Sequence, residues 1–170
     1  SNPHTNAPST TASDLGTGRT AVAVDAGYYQ TCAILDNGDL KCWGSDGYGQ
    51  LGDGGPDWSN SNPTDTNAPS TTAIDLGTGR TAVAVSTGGY HTCAILDNGE
   101  SKCWGNNGDK QLGVGASTPH LNTPPTSAID LGTGRTAVAI SAEAYNTCAI
   151  LDNGEARCWG WNDYGQLGNG

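Results

Sequence analysis

The chain has 170 residues, of which 26 are Gly, none is Phe or Met, and only 23 are Leu, Ile or Val. So small an aliphatic share excludes a large conventional core and is typical of disorder unless other groups stabilise the fold. Seven Lys and Arg against 17 Asp and Glu give a formal net charge of −10. This balance argues against nucleic acid as a partner, because binding it requires cations to neutralise the phosphates. No apolar run approaches the ~20 residues of a membrane span.

Three copies of one repeat make up most of the chain. Residues 15–52 read LGTGRTAVAVDAGYYQTCAILDNGDLKCWGSDGYGQLG, and residues 76–113 are identical at 28 of these 38 positions. A third copy occupies residues 131–168. The connections between copies are rich in Ser, Thr, Asn and Pro and are expected to be exposed. The predicted repeats are residues 1–58, 59–115 and 116–170.

Each copy is predicted to form short β-strands. Residues 20–24 alternate small and branched side chains with a period of two, which is typical of a strand. Residues 31–35 and 39–43 flank an Asp-Asn-Gly sequence, which is a hairpin signal. The segment before the next LGTG, residues 71–75, is predicted as a fourth strand. Four short strands in a unit of ~55 residues are typical of a propeller blade.

The hairpin turn predicts how the cysteines pair. A three-residue turn places its glycine in the left-handed conformation, and the glycines in question are Gly38, Gly99 and Gly154. With that turn, Cys32 lies opposite Cys42 at a Cα separation that suits a disulfide. The predicted disulfides are Cys32–Cys42, Cys93–Cys103 and Cys148–Cys158. Buried free thiols and a metal site are the alternatives, although zinc ligands are usually spaced more closely. Disulfides in every repeat predict an extracellular or cell-surface protein.

The repeat resembles the regulator-of-chromosome-condensation repeat in its cysteine-bearing bacterial extracellular form. The resemblance is carried by the Ala-x-Gly before the hairpin, the Asp-x-Gly turn, the Trp-Gly step and the Gly-Gln-Leu-Gly ending. It implies four-stranded blades of a seven-bladed β-propeller that binds proteins: a small GTPase and chromatin in the founding case, β-lactamases in a bacterial inhibitor. Three repeats are too few to close a ring. The expected fold is therefore all-β, with three tandem blades that belong to a larger propeller or an open repeat assembly.

No catalytic residue, metal site or cofactor is predicted. The histidines His4, His91 and His120 do not recur between copies, and His91 aligns with Gln30 and Asn146, so this position requires polarity rather than one chemistry. No phosphate-binding or hydrolase motif is present. Calcium is the one alternative, since some acidic extracellular β-repeats bind it, but the carboxylates do not follow a calcium-loop pattern. The sequence predicts that the protein is not an enzyme.

Aromatic residues are predicted to replace the missing aliphatic side chains in the core. The recurrent ones are Trp43, Trp104, Trp159, Tyr29, Tyr90 and Tyr145. Trp58 and Trp161 do not recur, which makes them candidates for an exposed contact. The Arg of each LGTGR sequence is expected to be a solvated charge by default; the alternatives are a pair with Asp25 or with the Asp that precedes LGTG, or a cap on a turn.

The sequence predicts a structural or interaction role. A blade cannot bury its faces alone and needs neighbours. The favoured hypothesis is a subunit of a surface fibre or filament that assembles head-to-tail with identical chains or further repeats, because such contacts need not close. The ends of the sequence fall in equivalent connections, so successive copies are expected to continue in register. The alternative is part of a closed seven-bladed propeller that binds a protein or glycan partner.

Overall fold

The computed structural model describes residues 7, 9–55, 65–115 and 118–170, and it is built from β-strands. Ten strands form three antiparallel sheets, which we call blades 1, 2 and 3. Blade 1 contains β1 (Ala21–Ala26), β2 (Gln30–Leu35) and β3 (Leu40–Gly44). Blade 2 contains β4 (Ala82–Thr87), β5 (His91–Leu96), β6 (Ser101–Asn106) and β7 (His120–Leu121). Blade 3 contains β8 (Ala137–Ala142), β9 (Asn146–Leu151) and β10 (Ala156–Gly160). The described residues form no helix that could span a membrane.

The hairpin in each blade has the predicted turn and register. In blade 1, the Leu35 N–H donates to the Asp39 carbonyl, and Gly38 has a φ of 81°. Cys32 then lies opposite Cys42. All three predicted disulfides are present, Cys32–Cys42, Cys93–Cys103 and Cys148–Cys158, with Cα separations of 4.1, 4.1 and 4.0 Å. Every cysteine of the chain is therefore used to cross-link a hairpin.

The predicted fourth strand at residues 71–75 is not formed. In blade 2 the fourth strand is the two-residue β7, which pairs with the end of β6. In blade 1 the described part of the connection, from residue 65 onward, has one bridge to β3, between Thr66 and Gly44, and the Ile74 N–H donates to the Leu40 carbonyl farther along. Pro69 lies between these two contacts and has no N–H to donate. The connection therefore follows the outer strand without forming a ladder.

The hydrophobic core lies between blades rather than inside them. The first cluster joins Cys32, Ile34, Leu40, Cys42 and Leu51 of the first repeat to Ile74, Leu76, Ala82, Ala94, Leu96 and Trp104 of the second. A second cluster joins the second and third repeats in the same way. The first strands of the blades, β1, β4 and β8, contact one another and so lie nearest to the axis about which the blades are arranged. Each blade is thus stabilised by its neighbour.

Two of the turn glycines allow the effect of backbone strain on stability to be measured separately from the effect of contact between blades. A Cβ on Gly99 would lie 2.8 Å from the Thr136 Cβ of the next blade, whereas a Cβ on Gly154 would have nothing within 4 Å. Both residues have a φ near 80°, which disfavours any side chain. We expect Gly154→Ala to lower the free energy of unfolding by about 1 kcal/mol through strain alone. Gly99→Ala should cost about 1 kcal/mol more, because it also overpacks the interface.

Denaturant unfolding of both variants, without reductant and at a concentration at which the chain is monomeric, measures this difference. Equal losses of stability would contradict the close packing of each turn against the next blade.

Candidate interaction surfaces

Successive blades are joined at the backbone carbonyl of the Gln in each Gly-Gln-Leu-Gly or Lys-Gln-Leu-Gly sequence. The Gln50 carbonyl accepts hydrogen bonds from Trp104 Nε1 at 3.1 Å and from the Thr92 hydroxyl at 2.8 Å. The equivalent bonds at the next interface run from Trp159 Nε1 and Thr147 Oγ1 to the Gln111 carbonyl, both at 2.9 Å. The recurrent Trp is therefore a component of the interface, and its indole N–H satisfies a buried carbonyl of the preceding blade.

The glycine that follows Gln-Leu makes room for this Trp. A Cβ on Gly52 would collide with Trp104 Nε1, and a Cβ on Gly113 would lie 2.8 Å from Trp159 Nε1. At Gly168, the third copy, nothing lies within 4 Å. The glycine is therefore required wherever a further blade packs against it.

At the position shared by Gln30, His91 and Asn146, the first two side chains reach the next blade. Gln30 Nε2 donates to the carbonyls of Gly88 at 3.2 Å and of His91 at 3.0 Å. His91 Nε2 lies 2.9 Å from the Thr147 hydroxyl. The polar character predicted for this position thus serves contact between blades in blades 1 and 2, where Gln30 and His91 have different hydrogen-bond partners.

The His91 imidazole is held in its neutral form. The Thr147 hydroxyl donates to the Gln111 carbonyl, so it accepts the hydrogen bond from His91 Nε2–H. His91 is completely buried, and its Nδ1 has no hydrogen-bond partner in the described part of the chain. Burial lowers the pKa of His91 to about 4, because a charged imidazole would lose its solvation here.

The first strands of the blades are linked at their C-terminal ends. Asp25 accepts two hydrogen bonds from Thr87, at 2.6 Å from the backbone N–H and at 2.7 Å from the hydroxyl. The Ser86 hydroxyl accepts from the Ala142 N–H at 3.0 Å. These strand ends surround a cleft of about 190 Å³ at the inner edge of the blades. Its lining includes Asp25, Tyr28, Ser86, Ser141 and Glu143.

Blade 3 exposes a surface that the other two blades bury. Ile150 is 48% exposed, whereas the equivalent Ile34 and Ile95 are each 3% exposed. Cys148 and Cys158 are half-buried, whereas their counterparts in blades 1 and 2 are buried. We call the surface formed by Cys148, Ile150, Ala156 and Cys158 the trailing face.

Blade 1 exposes the complementary surface, formed by Leu15, Ala21, Val24 and Trp43, which we call the leading face. Val24 is 66% exposed, whereas the equivalent Val85 packs against a core cluster. Ala21 is exposed, whereas the equivalent Ala82 is buried. Within the described ranges, no carbonyl accepts a hydrogen bond from Trp43 Nε1, although both later tryptophans have one.

The tryptophans differ in burial according to their place in the array. Trp104 in the middle blade is completely buried, whereas Trp43 and Trp159 are half-buried. Trp58 lies outside the described residues. Trp161 is half-buried and makes edge-to-face contacts, with centroid separations of 6.1 Å to Tyr145 and 5.2 Å to Tyr164.

The prediction that the recurrent tyrosines fill the core is wrong. Tyr29 is 52% exposed, Tyr145 is 38% exposed, and Tyr90 is half-buried. They follow the first strand of each blade, in or just after the connection to the second strand, so their side chains lie at the edge of the sheet instead of between sheets.

The Tyr29 and Tyr90 rings stack with centroids 4.9 Å apart. The hydrogen bond with Tyr29, together with burial, raises the pKa of Tyr90 to about 12, so its hydroxyl remains neutral.

The repeated arginines lie at the opposite end of the blades from these tyrosines. Arg19, Arg80 and Arg135 pair with Asp36, Asp97 and Asp152 of the hairpin turns, at 3.5, 3.3 and 3.3 Å. Neither of the alternative pairings, with Asp25 or with the Asp before LGTG, is found among the described residues. Asp25 cannot be reached because β1 runs from the arginine end to the tyrosine end. The pairs are about one-third exposed and contribute little to stability.

Comparison with known proteins identifies the repeat. A family model described as the regulator of chromosome condensation (RCC1) repeat matches residues 21–50, 82–111 and 137–166, and a second model with that description matches residues 37–95. The chain is 30% identical over 149 residues to the E3 ubiquitin-protein ligase HERC2 of Homo sapiens, covering 88% of the chain and 3% of the ligase. It is 30% identical over 164 residues to the ultraviolet-B receptor UVR8 of Arabidopsis thaliana, covering 96% of the chain and 34% of the receptor.

A solved structure has the same fold. The chain superposes on yeast RCC1 (Prp20), solved bound to Kap60, with a TM-score of 0.73 and 16% sequence identity. The match covers 88% of this chain and 34% of the yeast protein. The chain thus spans about a third or less of the length of these proteins, and the likeness in structure shows a β-propeller fold.

The neutral His91 makes stability depend on pH. Its pKa of about 4 in the folded chain is below the ordinary value of 6.5, so the unfolded chain binds the proton first as pH falls. We expect the free energy of unfolding to fall from about pH 6.5 to pH 4. His91→Gln, which introduces the residue of blade 1, should remove this loss. The matched control His120→Gln should retain it.

Urea unfolding at pH 7 and pH 5 measures the effect. If the His91→Gln variant loses as much stability as the unmodified chain, the assignment of a buried neutral imidazole is incorrect.

Proposed function

Because the chain belongs to the regulator of chromosome condensation (RCC1) repeat family, we propose that it is a non-enzymatic, protein-binding sector of a β-propeller. In this proposal, its leading and trailing faces bind further blades of the same repeat. The observation that carries the proposal is the burial of Ile34 and Ile95, at 3% exposed each, against the 48% exposure of Ile150. An exposed contiguous apolar surface of this kind marks an interaction site.

The two free faces complement each other group by group. The trailing face adjoins the Gln166 carbonyl, whose counterparts accept the indole N–H of the following blade. The leading face carries Trp43, which supplies such an N–H. Gly154 and Gly168 have open space where Gly99 and Gly113 meet the next blade. A further blade could therefore pack on blade 3 as blade 2 packs on blade 1. The carbonyl that accepts its indole N–H and the space for its side chains beside Gly154 and Gly168 are already present.

A binding role is supported by what is known of similar proteins. Yeast RCC1 has been solved bound to Kap60, and UVR8 is a receptor. HERC2 is a ligase, but the chain covers 3% of its length. The side chains of this chain also favour a non-enzymatic role. All six cysteines form disulfides, and the His91 imidazole is buried between blades, where it hydrogen-bonds the Thr147 hydroxyl. The proposed function requires no cofactor, and calcium has no part in it.

The proposal places the protein outside the cell or at its surface. Each of the three blades carries a disulfide across its hairpin, and such bonds persist in oxidising compartments. A cross-link over so short a loop contributes roughly 2.5–3 kcal/mol in the chain-entropy account. That contribution matters for blades with few aliphatic side chains.

A second candidate function is a structural subunit of a surface filament. The specific observation in its favour is that the leading and trailing faces of one chain are complementary, so identical copies can add head-to-tail. The arrangement of the first strands around a common axis favours the propeller sector instead. If each added blade is rotated about that axis in the same direction, the blades eventually form a closed ring.

Association of the free faces is tested by two exposed aliphatic residues of blade 3. Ile150 occupies a position that other blades bury, whereas Val138, at 63% exposed, occupies one that is also open at Val22 and Val83. Ile150→Glu should abolish association because it places a charge on the trailing face. Val138→Glu is the matched control and should leave association unchanged.

Light scattering coupled to size-exclusion chromatography, over a range of concentrations without reductant, gives the mass of each variant. We expect a mass above 17.3 kDa that rises with concentration for the unmodified chain and for Val138→Glu. A monodisperse 17.3 kDa species at all concentrations would contradict the proposal. Electron microscopy of the associated sample distinguishes rings from filaments.

A further inference from the structure

All six tyrosines of the chain lie at one end of the blades. The first strand of each blade runs toward this end, and the third strand returns to it, so the two connecting segments that carry tyrosines meet there. The residues are Tyr28, Tyr29, Tyr48, Tyr90, Tyr145 and Tyr164, together with Trp161. We call this surface the aromatic face.

The rings of the aromatic face form two groups, one around Tyr90 and one around Trp161, and several of them remain accessible. Tyr90 stacks on Tyr29 and meets Tyr48 edge-to-face at 5.1 Å. Tyr28 is 67% exposed and Tyr164 is 84% exposed. Nothing in the fold requires this exposure, since the blades are held together by the clusters between sheets. Exposed Tyr and Trp residues in a contiguous group are typical of protein-binding surfaces.

Cations are distributed unequally between the two ends of the blades. Six of the seven Lys and Arg residues lie toward the hairpin-turn end, namely Arg19, Lys41, Arg80, Lys102, Arg135 and Arg157. Several are committed there, as in the Arg80–Asp97 pair and the hydrogen bond from Lys102 Nζ to the Leu76 carbonyl. The tyrosine end has Lys110 alone, against the carboxylates of Asp25, Asp109, Glu143 and Asp163. The aromatic face therefore carries a net negative charge.

The cleft at the inner edge of the blades opens on the aromatic face. Tyr28 and Glu143 both line it, and Asp25 lies in its wall. Its volume of about 190 Å³ accommodates one long side chain. The Glu143 carboxylate is exposed, and Asp25 is oriented by its two hydrogen bonds from Thr87. A cation that enters the cleft would meet the oriented Asp25 carboxylate and the exposed Glu143 carboxylate beside the Tyr28 ring.

We propose that the aromatic face binds a basic, arginine-bearing segment of another protein, and that the cleft receives one of its arginine side chains. This proposal rests on the protein-binding role proposed above and names the class of partner. It does not require that the leading and trailing faces associate. Arginine fits better than lysine because its planar guanidinium stacks on tyrosine rings and also pairs with carboxylates. The turn end of a second copy is a poor occupant, because its arginines are already paired with aspartates.

A neutral glycan would also stack on exposed aromatic rings, but it would gain nothing from the carboxylates of this surface. Carboxylates outnumber cations at the tyrosine end, where Lys110 is the one cation, and this excess favours a cationic partner. We therefore assign the surface to a basic protein segment and use glycan binding as an outcome of the test.

The test uses fluorescently labelled peptides of the sequence (Arg-Gly-Gly)4, with (Lys-Gly-Gly)4 and (Glu-Gly-Gly)4 for comparison, titrated with the protein by anisotropy. We expect the arginine peptide to bind, the lysine peptide to bind more weakly, and the glutamate peptide not to bind. Affinity for the arginine peptide should fall as salt rises. Equal binding of arginine and lysine peptides would overturn the role of the aromatic rings.

Two sets of variants locate the binding surface. Tyr29→Ser combined with Tyr145→Ser should weaken binding by about tenfold, because two exposed ring contacts are lost. The triple variant Asp109→Asn, Glu143→Gln, Asp163→Asn removes three negative charges from the tyrosine end and should weaken binding by at least as much. The matched control Asp39→Asn, Glu100→Gln, Glu155→Gln removes three charges from the turn end and should change binding less than about twofold.

Equal effects of the two triple variants would overturn the proposal, because binding would then follow net charge alone. Titration with cellohexaose and chitohexaose tests the glycan alternative. If the unmodified protein binds a sugar but not the arginine peptide, and the Tyr29→Ser, Tyr145→Ser variant no longer binds the sugar, the surface would be assigned to glycans. The Ile150→Glu variant keeps this test separate from the proposed function. It should bind the arginine peptide normally, and failure of the peptide to bind would leave the association of the free faces unaffected.

Discussion

A blade of this protein can bury its apolar surface only against another blade. The aliphatic residues are too few for a core inside each sheet, and the two clusters that exist both lie between repeats. At each interface, a Trp indole N–H reaches a buried Gln carbonyl of the preceding blade, as from Trp104 to Gln50. The glycine that follows is required because any side chain would occupy the space of the indole. This contact explains why Trp-Gly and Gln-Leu-Gly recur together in the repeat.

The same constraint separates the functional parts of the molecule. The sheet faces are committed to neighbouring blades, so only the two ends of each sheet and the outermost faces of the array remain available to partners. The hairpin-turn end holds six of the seven cations, and three of these pair with aspartates, as Arg135 does with Asp152. The other end carries the tyrosines and exposed carboxylates such as Glu143. Self-association and recognition of a different partner can therefore use separate surfaces.

Local patterns in the sequence predicted the hairpins well. The Asp-Asn-Gly turn defines the register, and the register places Cys32 opposite Cys42, so the disulfides followed from counting residues. The fourth strand was predicted wrongly. Strand propensity at residues 71–75 does not indicate whether the segment that contains Pro69 can form continuous backbone hydrogen bonds with β3. The recurrent tyrosines were assigned to the core because recurrence alone does not distinguish the middle of a strand from its end. The roles of Gln30 and His91 depend on the neighbouring blade, which is about 60 residues away in the chain and beyond any local pattern.

The central claim is that each blade is stabilised by the blade that precedes it, through the indole contact. Hydrogen exchange of the Trp indole N–H groups, followed by NMR in the Ile150→Glu variant so that the leading face stays free, measures this directly. The account predicts slow exchange for Trp104 and Trp159, whose indoles donate to the Gln50 and Gln111 carbonyls, and fast exchange for Trp43. Exchange of Trp104 or Trp159 as rapid as that of Trp43 would contradict it, because the hairpins would then be stable without their neighbours.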